Sequence, residues 1–374
     1  MNSELDFDSL AIRCNEKILL GHNLIELLET YKQIPGVQKI QRKINQEIKF
    51  LQKAIRTDSL KLNHVQCSNL THYEFLVQIL QLQHDVVSLD CGFTLENRTN
   101  PLRVDIVCQH GLRWIKAIAR NSKSLYDVVK GEASYGVKSI LDQAQEFKDA
   151  TAQHFCMFQQ PKVVFYFSHA IENELLTHLQ RIGVDTASLN QPIAKLEASA
   201  NDVANIGVLN LDITTMLAYI SAVTNGSCNW IFREAILTEQ AEKERQTPLK
   251  SMLDQLFIDK RLICCETAYK SFQKITSLLA GPRERARALE LMQRVEVLPD
   301  IVDIPEELSV IKWSGKINER SFKIFAFGMK MRAVTVTSNK AFIRSAKMQG
   351  INVPVYTHQA RALTEAKEEA GKAL

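Results

Sequence analysis

Asp212 closes an apolar run, Gly207-Val208-Leu209-Asn210-Leu211, and opens Asp212-Ile213-Thr214-Thr215. Glu266 closes a second run, Leu262-Ile263-Cys264-Cys265. Asn339 follows a third, Ala333-Val334-Thr335-Val336-Thr337-Ser338, and Asn318 stands ahead of the helical stretch that leads into it. Carboxylate and amide oxygens are hard donors. Gathered in one cleft they suit Mg2+ or Mn2+, which accept oxygen ligands and substrate phosphates. Such a metal polarises a phosphodiester and activates water. Thr214 or Thr215 would orient that water or a phosphate oxygen. The two amides bring carbonyl oxygens without charge. The site charge then comes from Asp212 and Glu266 alone, which weakens the hold on a divalent ion. Each residue also has a plain structural use: Asp is a good helix N-cap, and Glu in a first helical turn complements the helix dipole.

These residues can meet only if the runs are neighbouring strands. Residues 205–374 alternate short apolar runs with helical stretches at 214–224, 238–259, 267–279, 283–294, 319–329 and 340–349, and end with a fourth run, Ile351-Asn352-Val353-Pro354-Val355-Tyr356. Such alternation predicts a parallel sheet with crossover helices, a three-layer α/β/α unit. In such sheets ligands bind beyond the carboxyl ends of the strands. Asp212 and Glu266 are therefore expected on one edge.

The pattern resembles that of the PIN-like domains, mostly metal-dependent ribonucleases. The resemblance rests on Asn210-Leu211-Asp212-Ile213-Thr214-Thr215, Cys265-Glu266-Thr267-Ala268 and Val334-Thr335-Val336-Thr337-Ser338-Asn339-Lys340-Ala341-Phe342, followed by Gly350-Ile351-Asn352-Val353. It implies a metal held by Asp212 and Glu266, with Asn318 and Asn339 standing where the family usually carries acids. The chain as a whole is similar to a eukaryotic two-domain protein family of unknown function with a PIN-like C-terminal half. That likeness is carried by Asn69-Leu70-Thr71-His72, Tyr135-Gly136-Val137-Lys138-Ser139-Ile140, Leu237-Thr238-Glu239-Gln240-Ala241-Glu242 and Gln359-Ala360-Arg361-Ala362-Leu363-Thr364-Glu365.

The first half has a different texture. Val37, Ile40, Ile44, Ile48, Leu51 and Ile55 recur at spacings of three and four, one face of a helix. The apolar stretch before it, broken at Gln33-Ile34-Pro35-Gly36, makes the pair a helical hairpin. After Asn69 come a helix at 70–83, a strand signal at Val86-Val87-Ser88-Leu89, and a β-hairpin whose arms are 102–108 and 112–119. A helix at 137–150, a buried strand at 162–167 and a helix at 171–182 follow, giving an α+β unit with a small mixed sheet. Asp105 on one hairpin arm and Lys116 on the other resemble a depleted PD-(D/E)xK, restriction-endonuclease-like core. Trp114 takes the position of the missing acid, which is also what a core-packed hairpin would carry. The helix entry at Tyr135-Gly136-Val137-Lys138-Ser139 offers N–H groups to a phosphate.

The domains expected are a helical hairpin over 1–60, an α+β domain over 61–184, a linker over 185–204 rich in Ala, Ser, Asn and Asp, and the PIN-like α/β domain over 205–374. A hydrophobic fraction of 45% and a charged fraction of 24% exclude large-scale disorder, and 14 Gly with 9 Pro exclude collagen-like and low-complexity classes. The 8 cysteines form no C-x-x-C pair, so buried reduced thiols are expected rather than a zinc site. No apolar run spans a bilayer and the first residues are acidic, so an intracellular protein, cytoplasmic or nuclear, is expected without membrane partners. The net charge of +4 is modest, but residues 311–374 hold 12 Lys and Arg against 4 Glu. Lys316, Arg320, Lys340 and Arg344 are placed to track an RNA backbone near the cleft. Two functions follow as expectations: a divalent-metal-dependent ribonuclease or phosphodiesterase, or a non-catalytic PIN-like RNA-binding or scaffold protein.

Overall fold

A computed structural model describes residues 7–96, 98–119, 139–190 and 202–374. The chain forms two compact units, Met1–Ala200 and Asn201–Leu374. It is a mixed α/β protein in which about half of the described residues are helical.

The first unit opens with α1 (Phe7–Glu29) and α2 (Val37–Arg56). The stripe predicted for α2 is buried at Val37, Ile40, Ile44, Ile48 and Leu51. Gly36, at φ 96°, makes the turn between the helices. A Cβ there would sit 1.9 Å from the Leu89 carbonyl, so only glycine lets this turn close on the sheet. After α3 (Leu62–Gln66) and α4 (Leu70–Gln81) come β1 (Ser88–Phe93), β2 (Leu102–Cys108) and β3 (Arg113–Ile118). Then follow α5 (Ile140–Gln153), β4 (Lys162–Phe167), α6 (Asn173–Ile182) and β5 (Asp185–Ser188). The strands lie in the order β1-β2-β3-β4-β5. The first three are antiparallel and β4 and β5 run parallel to β3.

Alternation along β3 and β4 supplies two cores. Ile115, Ala117, Val164 and Tyr166 pack with the α1, α2 and α4 side chains. Trp114, Ile118, Val163, Phe165 and Phe167 pack with Phe147 of α5 and Leu179 of α6. The helical hairpin expected over 1–60 therefore shares its core with the sheet rather than standing as a domain. Its amphipathic stripe is real, but a stripe does not say what covers it. Residues 185–188, expected in the linker, form β5, pairing Val164 with Asp185 and Tyr166 with Ala187. Four residues are too few for an alternation signal. Asp105 lies in the middle of β2. The helix expected at 137–150 begins at Ile140, capped by Ser139, which accepts from the Asp142 N–H. Residues 135–138 of the suggested phosphate-holding entry lie outside the described residues.

The second unit contains β6 (Val208–Leu211), α7 (Ile213–Ile220), β7 (Trp230–Ile231), α8 (Ala235–Gln246), α9 (Leu249–Phe257), β8 (Arg261–Cys265), α10 (Glu266–Leu279), α11 (Pro282–Met292) and β9 (Val295–Leu298). It continues with α12 (Glu306–Ser309), α13 (Glu319–Lys330), β10 (Val334–Thr337), α14 (Lys340–Met348), β11 (Val355–Thr357), α15 (Glu365–Glu368) and β12 (Lys372–Ala373). The main sheet is parallel throughout, in the order β11-β10-β6-β8-β9, as the strand–helix alternation predicts. The helix expected over 238–259 is two helices, because Pro248 has no N–H to continue the ladder and restricts Thr247 before it. The strand β9 went unread: Glu296 interrupts its apolar run. Asn210, wholly buried in the middle of β6, donates to the Ile324 carbonyl of α13 and to Thr335 of β10, both at 3.0 Å. Gly328 leaves room for this, since a Cβ there would meet Thr335 Oγ1 at 2.2 Å. These contacts fix β6, β10 and α13 as one block beneath the candidate site.

Candidate functional site

From β6 the chain steps outward to β8 and β9, then returns across the sheet to β10 and β11. The direction reverses between β6 and β10, and a crevice at such a point is where open α/β sheets bind ligands. Asp212 and Thr337 are the residues at that point. Asp212 follows β6 and is 4% exposed; Thr337 ends β10 and is fully buried.

The Asp212 carboxylate sits in a cage of hydroxyls. Thr337 Oγ1 donates to its Oδ2, and Thr214 Oγ1 donates to the same oxygen at 2.8 Å. The lone pairs of both hydroxyls are engaged by backbone N–H groups: Ser338 N–H donates to Thr214 Oγ1 and Asn339 N–H to Thr337 Oγ1, each at 2.9 Å. A threonine hydroxyl has one hydrogen, so the backbone directs both hydrogens at Asp212. Burial pushes the Asp212 carboxyl above the usual range, against the hydroxyls, the Ile213 N–H and the Arg320 charge.

The other expected ligands do different work. Glu266 starts α10, but its side chain is half exposed and pairs with Lys270 one turn on, at 2.7 Å. Asn318 caps α13, its Oδ1 accepting from the Ser321 N–H at 2.9 Å. Asn339 caps α14, accepting from the Phe342 N–H at 3.1 Å. Thr215 points the other way from Thr214: its hydroxyl lies 2.7 Å from the Val336 carbonyl and 2.7 Å from His358 Nε2. Among the described residues no group of three or more His, Cys, Asp or Glu side chains is arranged to hold a metal ion. Asp212 is bound by two hydroxyls, Glu266 pairs with Lys270 and both amides cap helices.

Two residues of this edge escaped sequence reading. Asp300, just beyond β9, accepts from the Thr267 N–H at 2.9 Å and from the Thr267 hydroxyl at the start of α10. Burial raises its carboxyl, but the Thr267 and Cys265 hydrogen bonds and the Lys323 charge hold it below the usual range. His358, just beyond β11, is buried, and its burial brings the imidazole down to about 4. Neither had a motif: each is a lone polar residue after a short strand. Two of the four expected cations are placed by their charges. The Arg320 charge reaches Asp212 and the Lys340 charge reaches His358. Lys316, Arg320, Lys340 and Arg344 are exposed and form no ion pair among the described residues.

The expected pair in the first unit comes together. Lys116 Nζ lies 3.0 Å from Asp105 Oδ2, and the Ala117 N–H donates to that oxygen at 2.8 Å. Lys116 lines a pocket of about 630 Å³ with His72, Asn69, Thr71 and Gln143. Burial lowers the His72 imidazole, which Asp105 opposes and Lys116 reinforces. Trp114 is 1% exposed and stacks on Phe93 at 3.9 Å between ring centroids, so it is core and lends no ligand to the pair.

Fold and sites thus define a two-unit α/β protein with a polar cluster at a sheet edge in the second unit and a pocket in the first. The model of the family of unknown function DUF5614 matches residues 9–203, just over half of the chain, and the chain belongs to that family. Residues 209–372 match the protein family of unknown function DUF1308. The uncharacterized protein R220 of Acanthamoeba polyphaga mimivirus is 20% identical over 255 residues, which cover 68% of this chain and 72% of that protein. No solved structure matches the chain. No helix of the described residues is long and apolar enough to cross a membrane.

Proposed function

We propose that the second unit is a PIN-like fold that binds single-stranded RNA at the carboxyl edge of its sheet without hydrolysing it. One observation carries this reading: Arg320 and Lys340, at the edge beside the caged Asp212 carboxylate, form no ion pair among the described residues. Here Glu266 is held by Lys270 and the amides hold helix ends. Cations without an ion pair at this edge favour a phosphate backbone. Trp313, 58% exposed and leaning on Phe322 at 5.0 Å, offers a face on which a base can stack. The strand order with its reversal between β6 and β10 supports the PIN-like assignment. The test is incubation of the full chain with single-stranded RNA in Mn2+ and in EDTA. This reading expects a shifted complex and intact RNA in both. Mn2+-dependent cleavage that Asp212→Asn abolishes would replace it with the metal-dependent ribonuclease.

A second reading concerns the first unit, favoured by the Asp105–Lys116 pair at the mouth of the pocket. Three antiparallel strands followed by parallel β4 and β5 support a restriction-endonuclease-like core. On that reading Lys116 faces a phosphodiester. Lys116→Met then weakens nucleic-acid binding without unfolding the chain; unchanged binding contradicts it.

A further inference from the structure

At the amino end of the second unit's sheet, α7 ends and β9 begins, and cations gather there around a small pocket. Arg287 and Arg294, from α11 and the turn after it, line about 90 Å³ together with Lys250 of α9, Tyr219, Asn225 and Glu290. That volume is the share of about three waters. It admits one tetrahedral oxyanion. Asp212 precedes α7, so this pocket lies at the opposite end of that helix from the crevice.

Of the three cations only Lys250 has a direct ion pair among the described residues. Lys250 pairs with Asp254 at 2.8 Å and lies 4.1 Å above the Tyr219 ring. The Tyr219 hydroxyl donates to Asp254 Oδ1 at 2.6 Å and accepts from Arg294 Nη1 at 3.1 Å. Neither arginine makes an ion pair among the described residues. Arg287 Nε donates to the Ile220 carbonyl at 2.7 Å, while its Nη2 is buried without any hydrogen-bond partner. A buried guanidinium N–H without a partner is costly, so it points to a missing acceptor. Burial depresses the Arg287 guanidinium, against the Glu284 and Glu365 charges.

We infer that this pocket binds a phosphate monoester dianion, with Arg287 and Arg294 as the clamp, Lys250 as a third charge and Asn225 as a neutral donor. A fork of arginines is the natural partner for a planar pair of phosphate oxygens. Glu290 at the rim opposes the anion and sets a limit on affinity. The inference does not depend on the RNA reading of the crevice.

Inorganic phosphate is titrated into the full chain by calorimetry and by thermal melting, with sodium chloride matched in ionic strength as the control. Saturable binding and a rise in Tm beyond chloride are expected. Arg294→Gln, at the exposed end of the site, loses at least tenfold in affinity with an unchanged far-UV spectrum. Glu290→Gln tightens binding severalfold and keeps the proposal testable should Arg294→Gln fail to fold. A 5′-phosphorylated oligoribonucleotide, compared with its 5′-hydroxyl form, tells whether an RNA end or free phosphate is the better source; preference for either still requires the Arg294 effect. Phosphate acting no differently from chloride overturns the inference, as does Arg294→Gln binding as tightly as the parent or Glu290→Gln failing to tighten.

Discussion

Thr337, the last residue of β10, donates its hydroxyl hydrogen to the buried carboxylate of Asp212, the first residue beyond β6. The contact spans the point where the sheet reverses direction, and it ties 125 residues of chain into one element of the crevice. It also sets two hydroxyl donors against the burial that raises the Asp212 carboxyl.

Asp212 has a carboxyl raised above its ordinary value. Such a group contributes stability that is fully present below its unfolded pKa and is lost as pH rises through the folded one. Asp212→Asn keeps an oxygen for both threonine hydroxyls and removes the buried charge. Its unfolding midpoint in urea at pH 7 is expected to equal or exceed that of the parent, and the difference shrinks toward pH 4. A variant clearly weaker at pH 7 contradicts this placement of Asp212.

His358 gives the opposite dependence. Its folded pKa, about 4, lies below the unfolded value of 6.5. The stability it contributes is present above the unfolded pKa and is lost as pH falls toward the folded one, on the order of 3 kcal/mol in all. Denaturation followed from pH 7 to pH 4 is expected to show one excess proton taken up on unfolding, and His358→Gln flattens that slope. An unchanged slope rules out His358 as the source.

The amides at the crevice predict a stability phenotype. Asn318→Ala and Asn339→Ala each remove a helix cap and cost about 0.5–2 kcal/mol in chemical unfolding. Asn318→Asp and Asn339→Asp preserve the caps and stay close to the parent. If the Asp variants lose as much as the Ala variants, the residues are not acting as caps.

The second unit also holds buried charges. Arg361 Nε donates to Glu244 Oε2 at 2.8 Å, both side chains almost fully buried. Glu284 Oε1 accepts from the N–H groups of Ala222, Thr364 and Glu365. Arg361→Met leaves the Glu244 charge unpaired and is expected to cost about 3–5 kcal/mol. Arg361→Met combined with Glu244→Gln recovers part of that loss in the same urea titration; simple additivity of the two contradicts a direct pairing.

How much of this was legible in the sequence follows from the range of each signal. The ends of β6, β8 and β10 were readable because apolar runs stop at polar turn residues within a few positions. That located Asp212, Glu266 and Asn339 at strand ends. Direction of the side chains was not readable. Glu266 turns to Lys270, a partner four residues on that any exposed helix offers. The Asn318 and Asn339 caps depend on helix starts known only to within a few residues. His358, Asp300 and Glu284 find their partners 143, 33 and 62 residues away, and no local pattern announces such contacts. β5 is four residues long and takes its place from β4 rather than from its own composition.

The central claim is that the edge around Asp212 is a cation-flanked binding crevice. Its most direct test is single-stranded RNA affinity, read by fluorescence anisotropy across a salt series, for the full chain, Asp212→Asn and the Arg320→Gln, Lys340→Gln double variant. Removing two phosphate contacts makes the slope of log K against log salt shallower by about 1.4. The predicted result is that shallower slope with weaker binding in the double variant, and undiminished binding by Asp212→Asn. Equal slopes in all three proteins, or RNA binding that vanishes with Asp212→Asn alone, would contradict the account.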